Sequence, residues 1–466
     1  MKRFAHVLAL ALVANLAFSG CSSAPQPPTP QPAESEGRTS QTPSSQPANS
    51  PAPPPWLGVK AVGDDLELTG LTGVSAITWS PSGRRALVAS DPGWFLLDTE
   101  GPSIEPIPPL ENLAVPPAFW SENEVLWMKG GRLQLRNLAT GEDRLLHDFG
   151  AQAIHWLRPG DTHYVVIREP TINQQGYRFG AIVSGELGGS GETVVIKTGH
   201  VIGRMASGDL LAVEGQRGGP LWAISPTGEK RLLSQQDAYF VRLSPDGTRA
   251  LWFTGEPREA SWLGLFKPAT AYADAPFDPP LTDLWTWDGA ADPVRIPLGG
   301  TYSVQALFSP DGTHIALALN EGILSENSAA LDKPGHLAVV TGARIRTLAT
   351  FEGRVGLGMW LGTEAFKYTP PMEKTGAQPP IFRIDLTGKT EALHGLWQMA
   401  YSAGDTGLLL LRDETEAVLY WSDSAQPART RLALRENPGQ PLYVPPGAPY
   451  LPFVRSDRVL LKRLSY

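Results

Sequence analysis

The sequence has one cysteine, Cys21, in 466 residues. No disulfide can form within the chain, and no zinc site built on several thiolates can exist. Positive charge is also short: 39 Lys and Arg stand against 47 Asp and Glu, a formal net charge of -8. A phosphate-backbone ligand needs a basic patch, so nucleic acid is excluded as a partner class. Helical patterning is missing too, since no stretch of a dozen or more residues carries apolar side chains at helical spacing. Catalytic signatures are equally scarce. There is no His-Glu-x-x-His, no Gly-x-Ser-x-Gly elbow and no dinucleotide-type glycine loop. The stretch 383–390 (RIDLTGKT) ends like a phosphate-binding loop but has Arg383 where the first glycine must stand. The eight histidines include no close pair, so neither a metal nor a cofactor is expected.

The start of the chain is informative. Lys2 and Arg3 precede an apolar run over 4–18 broken only by His6 and Asn15, and Ser19-Gly20 follow. This is the three-part pattern of a secretory signal. The run is about fifteen residues, under the roughly 18 to 20 that a membrane-spanning helix needs. The segment Phe18-Ser19-Gly20-Cys21 resembles the lipobox of bacterial lipoproteins, with Phe18 in place of the usual Leu. The resemblance implies removal of 1–20, diacylation of the Cys21 thiol and acylation of the new amino terminus. Two or three acyl chains would hold the protein permanently to a membrane surface, and a lipidated Cys21 leaves no thiol for catalysis. Loss of Lys2 and Arg3 would take the net charge from -8 to -10. Ser22, by the same resemblance, favours the outer membrane of a two-membraned envelope, or otherwise the outer face of the cell membrane. Residues 21–55 are rich in Pro, Ser and Gln and contain almost nothing that can be buried. They are expected to form a disordered tether ahead of one folded domain, 56–466.

That domain reads as all-β. Gly and Pro supply 48 and 44 residues, and short runs of Val, Leu, Trp, Tyr and Phe recur between turn residues. Three stretches align without gaps: 79–88 (WSPSGRRALV), 243–252 (LSPDGTRALW) and 308–317 (FSPDGTHIAL). In each, Pro pre-sets a turn dihedral, Asp or Ser bonds its own backbone, and Gly supplies the positive φ. A second set aligns independently at 95–101 (FLLDTEG), 135–141 (LRNLATG), 222–228 (WAISPTG) and 382–388 (FRIDLTG). Their successive spacings of 40, 87 and 160 residues are close to one, two and four periods of about 42. Two hairpin types on one such period specify a four-stranded unit, the pattern of a β-propeller.

The Ser-Pro-Asp-Gly hairpin resembles the propeller repeat of the TolB family, a WD-type repeat found also in prolyl-oligopeptidase-like enzymes. Full matches stand at 244–247 and 309–312, and 80–83 has Ser82 for Asp. Divisions near residues 72, 113, 151, 199, 236, 301, 353 and 395 give eight units, which predicts eight four-stranded blades, with seven as the alternative if two divisions belong to one blade. Strands near 66–68 and in the tail are expected to pair and close the ring. Most of the 14 tryptophans are expected between blades as core.

The long insertions fall over 168–179, 254–283, 320–336 and 369–380, each between the second and third strand of its unit, so all four should gather on one rim. Loops of this length are often functional. Their aromatic and charged residues are Tyr177 and Arg178; Arg258, Trp262, Phe266 and Tyr272; Glu321 and His336; and Met372, Glu373 and Lys374. Aromatic residues and Arg anchor interfaces. The expectation is a non-catalytic scaffold that binds a protein or peptide on this rim. The alternative is a propeller enzyme, a lyase or glycan-acting hydrolase, with a polar site assembled near the axis from several blades.

Overall fold

A computed structural model of the chain describes residues 57–91, 93–107, 117–150, 153–172, 178–215, 218–255, 280–321, 333–371, 382–392, 400–402, 407–411, 416–421, 430–433, 440–441, 449–454 and 458–463. Among these residues there is no helix; the ordered structure is antiparallel strand and turn.

The turns form for the reasons the sequence suggests. Gly83, Gly247 and Gly312 have φ of 73°, 69° and 67°, a left-handed conformation that glycine adopts without steric cost. Their N–H groups donate to the carbonyls of Ser80, Ser244 and Ser309, each at 2.9 Å. The hydroxyls of the same serines accept the N–H of Arg85, Arg249 and His314 at 3.1, 2.9 and 2.8 Å. The second hairpin set closes differently: Asp98, Asn137 and Asp385 accept the N–H two residues on, at 2.9, 2.9 and 2.8 Å. A short polar side chain thus holds each turn by bonding its own backbone.

The strands make four four-stranded sheets, two seven-stranded sheets and one five-stranded sheet among the described residues. Each seven-stranded sheet holds two successive repeat units joined by one continuous strand. Glu192–Arg204 pairs first with Arg178–Glu186 and then with Leu210–Glu214, changing partner at Gly199. Val294–Phe308 pairs first with Leu281–Trp287 and then with His314–Glu321, changing at Tyr302. The divisions expected near 199 and 301 therefore fall inside strands, not in loops. All eight repeat units are present as four-stranded arrays, and the architecture is a β-propeller. The end strands behave as a sheet of their own, beyond those eight. Gly58–Val62 and Asp65–Thr69 from the beginning join Arg458–Arg463, Tyr450–Val454 and Gln440–Pro441 from the end, with Leu66 opposite Leu461. This sheet packs on unit one, where Trp79 stacks on Tyr450 at 6.0 Å.

The core lies between units. In Ala250–Gly255, the second strand of unit five, Ala250 and Trp252 pack toward unit four with Leu211, Val213 and Leu221. Leu251 and Phe253 pack toward unit six with Leu317 and Ala338. Unit six repeats the device: Ile315, Leu317 and Leu319 face unit five, while Ala316 and Ala318 face unit seven. Alternate side chains go to opposite faces of a strand, but here both faces are dry, so the run is apolar without alternation. The apolar run 164–167 lies likewise in a second strand, His163–Ile172, with a hydrogen-bonded neighbour on each side and both faces buried; 408–411 also falls in a second strand, Gly407–Leu411. The first strand of unit five, Tyr239–Leu243, alternates between half-buried and exposed positions. Trp79, Trp127, Trp252, Trp287 and Trp360 are buried, as core tryptophans should be.

Side chains next to the Ser-Pro-Asp-Gly turns also tie neighbouring units together. Arg85 Nη1 donates to Asn123 Oδ1 at 2.8 Å, Arg249 Nη1 to the Gly312 carbonyl at 3.0 Å, and His314 stacks on Trp360 at 6.4 Å. Arg204 spans units three and four, donating to Asp161 Oδ1 at 2.8 Å and to the Trp156 carbonyl at 3.0 Å.

Candidate functional site on the rim of long connections

Strand order puts every second-to-third connection on the same rim, opposite the tight turns. The four long ones join His163–Ile172 to Arg178–Glu186, Ala250–Gly255 to Leu281–Trp287, His314–Glu321 to Gly335–Thr341, and Ala365–Thr369 to Phe382–Asp385. The first is less of a loop than its sequence implies. The strands continue past a bulge between Arg168 and Thr171 until Ile172 faces Arg178. The β-branched Thr171 and Ile172 favour an extended ladder, so Arg178 is a strand residue, exposed on a hairpin that carries Ile172 at 56% exposure. Tyr177, Arg258, Trp262, Phe266, Tyr272, Met372, Glu373 and Lys374 lie outside the described residues, as does Cys21.

Glu321 and His336 are both described, and the fold brings them together. They sit at the rim ends of adjacent strands in unit six, with His336 Nε2 3.2 Å from Glu321 Oε1. The other ring nitrogen, Nδ1, is 3.0 Å from the Thr350 hydroxyl. A ring so held carries its proton on Nε2 and donates it to the carboxylate, while Nδ1 accepts from Thr350; when protonated, it can donate from both sides, because a hydroxyl serves either role. Tyr302 stands edge-on to the imidazole at 6.2 Å. Beside it, Ser303 Oγ accepts from Arg354 Nη2 at 3.5 Å, and the buried Asn320 holds Val355 by its N–H and its carbonyl at 2.8 and 3.0 Å. The cluster fixes a half-exposed carboxylate, an imidazole, a phenol ring and a guanidinium on one edge.

Both nitrogens of His336 are engaged, one by the Glu321 carboxylate and the other by the Thr350 hydroxyl. Among the described residues no group of three or more His, Cys, Asp or Glu could hold a metal ion. Composition pointed to Glu321 and His336 but not to Tyr302, Thr350 or Arg354. Their signal was positional, since Tyr302 pairs with Glu321 and His336 with Thr350 in the ladder, and it needs the register to be seen.

No protein-family model matches the chain, and no curated protein matches it. Solved structures do. The crystal structure of a eukaryotic initiation factor aligns with a TM-score of 0.45 at 12% identity, over 79% of this chain and 88% of that one. Oligogalacturonate lyase from Vibrio parahaemolyticus aligns at 0.36 and 9% identity, over 87% and 96%. Dipeptidyl peptidase 4 from Porphyromonas gingivalis aligns at 0.43 and 11% identity, over 71% of this chain but 54% of that one. At TM-scores below 0.5 these likenesses say nothing about activity.

Proposed function

We propose that this protein is an extracytoplasmic bacterial lipoprotein, anchored through Cys21, whose TolB-like propeller binds a protein or peptide partner on the rim of long connections. The observation that carries the binding role is topological: the four longest connections all join second to third strands, so they share one rim. That rim presents a braced polar edge at Glu321, His336 and Tyr302, and the aromatic-rich insertion over 254–283 adjoins it in sequence order. The anchor rests on the lipobox-like Phe18-Ser19-Gly20-Cys21. The Ser-Pro-Asp-Gly repeat supports kinship with TolB-type propellers.

Two measurements test the reading separately. Metabolic labelling with an alkyne fatty acid should tag the wild-type chain and not Cys21→Ser, and the variant should leave the membrane fraction; equal labelling of both would refute the anchor. A photo-crosslinking residue placed at 262 or 372 should capture a discrete partner that the same residue at position 82 or 245, on the tight-turn rim, does not. Identical capture from both rims would refute the binding surface, and turnover of an oligogalacturonate or glycan substrate would favour the enzymatic alternative.

A further inference from the structure

Three side chains of unit six stand in a row across its sheet at the rim of long connections. Glu321 ends the second strand, His336 lies at the start of the third, and Thr350 near the end of the fourth. Thr350 and His336 are opposite each other in the ladder, so their side chains leave the same face of the sheet. That face looks toward unit five, because Leu319, opposite His336 on its other side, is buried with Leu251 and Phe253. The Thr350 hydroxyl is 3.0 Å from His336 Nδ1, and Glu321 Oε1 is 3.2 Å from Nε2. A carboxylate that holds the Nε2 proton leaves the Nδ1 lone pair directed at the hydroxyl proton. Hydroxyl, imidazole and carboxylate thus follow the order of an activated nucleophile, its base and the group that orients the base. Thr350 is exposed while the His336 side chain is only 19% exposed, so a substrate can reach the hydroxyl. Arg344–Phe351 is the outermost strand of its sheet. With a ladder on one side only, alternate N–H groups along it point outward, and either Thr350 or Phe351 presents one beside the hydroxyl. A comparison stands on the opposite rim of the same unit. There His314 Nδ1 is 2.8 Å from the Thr341 hydroxyl, but among the described residues no carboxylate is hydrogen-bonded to its Nε2.

We propose that Thr350, His336 and Glu321 form an ester-hydrolysing site, with Thr350 as nucleophile, His336 as general base and Glu321 as the positioning residue. The substrate class is a carboxylic ester with an uncharged acyl group, since the half-exposed Glu321 carboxylate opposes an anion at the same place. Thr350 Oγ bonds to the ester carbonyl carbon, and its proton passes to His336 Nδ1. The tetrahedral oxyanion takes the outward N–H of the edge strand. Collapse breaks the bond to the leaving oxygen, which recovers the proton from Nδ1 and departs as the alcohol. Water then repeats both steps on the acyl-threonine, releasing the carboxylic acid and restoring the hydroxyl, so water is the only co-reactant. All three residues belong to unit six, and the activity depends neither on the lipid anchor nor on a partner bound at the rim.

The test treats the full chain with 4-nitrophenyl acetate, follows nitrophenol release, and maps acetyl groups by mass spectrometry after an acid quench. The wild type should release nitrophenol with an initial burst and carry an acetyl group on Thr350 but not on Thr341. Thr350→Val, which keeps the shape at an exposed position, should lose the burst and the label with an unchanged melting temperature, and Thr350→Ser should keep both. His336→Gln should slow acylation about a hundredfold. Glu321→Gln should lower kcat about tenfold at an unchanged KM and melting temperature, a split that a merely structural carboxylate would not give. Other histidines can hydrolyse this ester, but they leave no acetyl-threonine. The proposal is overturned if no acetyl group is found on Thr350, if Thr341 is labelled equally, if Thr350→Val turns over as fast as the wild type, if Thr350→Ser is as inactive as Thr350→Val, or if His336→Gln or Glu321→Gln acylates at the wild-type rate.

Discussion

Two histidines are buried uncharged, and the protein should lose stability in mild acid because of them. His147 is 7% exposed, between Phe149 and Tyr164 with ring centroids at 4.6 Å from each. Its Nδ1 accepts the Gly188 N–H at 3.3 Å. Protonation would put a charge in an aromatic box and set a donor against a donor. Burial pushes its pKa down; Arg168 acts the same way, and Glu192 and Asp148 oppose. His200 is 8% exposed and donates from Nδ1 to the Gly215 carbonyl at 3.4 Å. Burial lowers its pKa also, against that bond. A folded pKa below the unfolded value means that the folded state binds the proton less well. Stability is then full above the unfolded value of about 6.5 and falls as pH drops below it, until the folded pKa is passed. One unit below 6.5, each histidine costs up to about 1.4 kcal/mol, and the pair up to about 3 kcal/mol. For a domain of about 400 residues, unfolding entropy of about 2 cal/mol/K per residue makes this a fall of about 3 °C in Tm. Calorimetry at pH 7 and about pH 5.5 should show that fall in the wild type and little of it in His147→Phe combined with His200→Gln. Aspartates do not confound the window. Burial would raise Asp161, but the hydrogen bonds from Arg204 and Arg158 more than offset it, so its pKa is lowered and its stability is lost only as pH falls below about 4. If the double variant lost as much Tm as the wild type, buried histidines would not be the cause.

Arg204→Ala should cost about 3 to 5 kcal/mol in urea unfolding, since it strands Asp161, whose side chain is 16% exposed; the double change with Asp161→Asn should cost less than the sum of the singles. Gly228→Ala should destabilise by about 2 kcal/mol or more, because φ is +90° and the new Cβ would lie 2.1 Å from Ser184 Oγ; adding Ser184→Ala should recover part of the loss. Phe240 holds φ of +50° on the first strand of unit five while 39% exposed, so Phe240→Asn should raise stability by about 0.5 to 1 kcal/mol, and a loss would mean that the ring's contacts outweigh the strain.

The repeat was legible because its turns are made by side chains acting on their own backbone. Ser309, Asp311 and Gly312 close their hairpin through bonds that reach no further than five residues. Such a signal survives in a single sequence. The two sheet fusions were not legible in the same way. Nothing local distinguishes Gly199, where a strand runs on from one unit into the next, from a glycine in a turn; the difference lies in pairing with Gly180 on one side and Glu214 on the other. The end strands were visible as strands, and their mutual pairing was expected. That they form a sheet of their own depends on Asp65–Thr69 pairing with Arg458–Arg463, a ladder between the two ends of the chain.

The site shows the same limit more sharply. Glu321 and His336 were named as the charged residues of a long insertion, yet their surroundings are set by Thr350 and Tyr302. Thr350 faces His336 only because the ladder to Arg344–Phe351 shifts register between Leu337 and Ala338. Without that bulge the pairing would slip by one residue, and alternate side chains would face the other way. The imidazole would then lose its hydroxyl partner and keep Glu321 alone. An irregularity with no sequence signature thus decides which groups meet the imidazole, so a reading of chemistry from residue types alone could name the participants at this rim but not their arrangement.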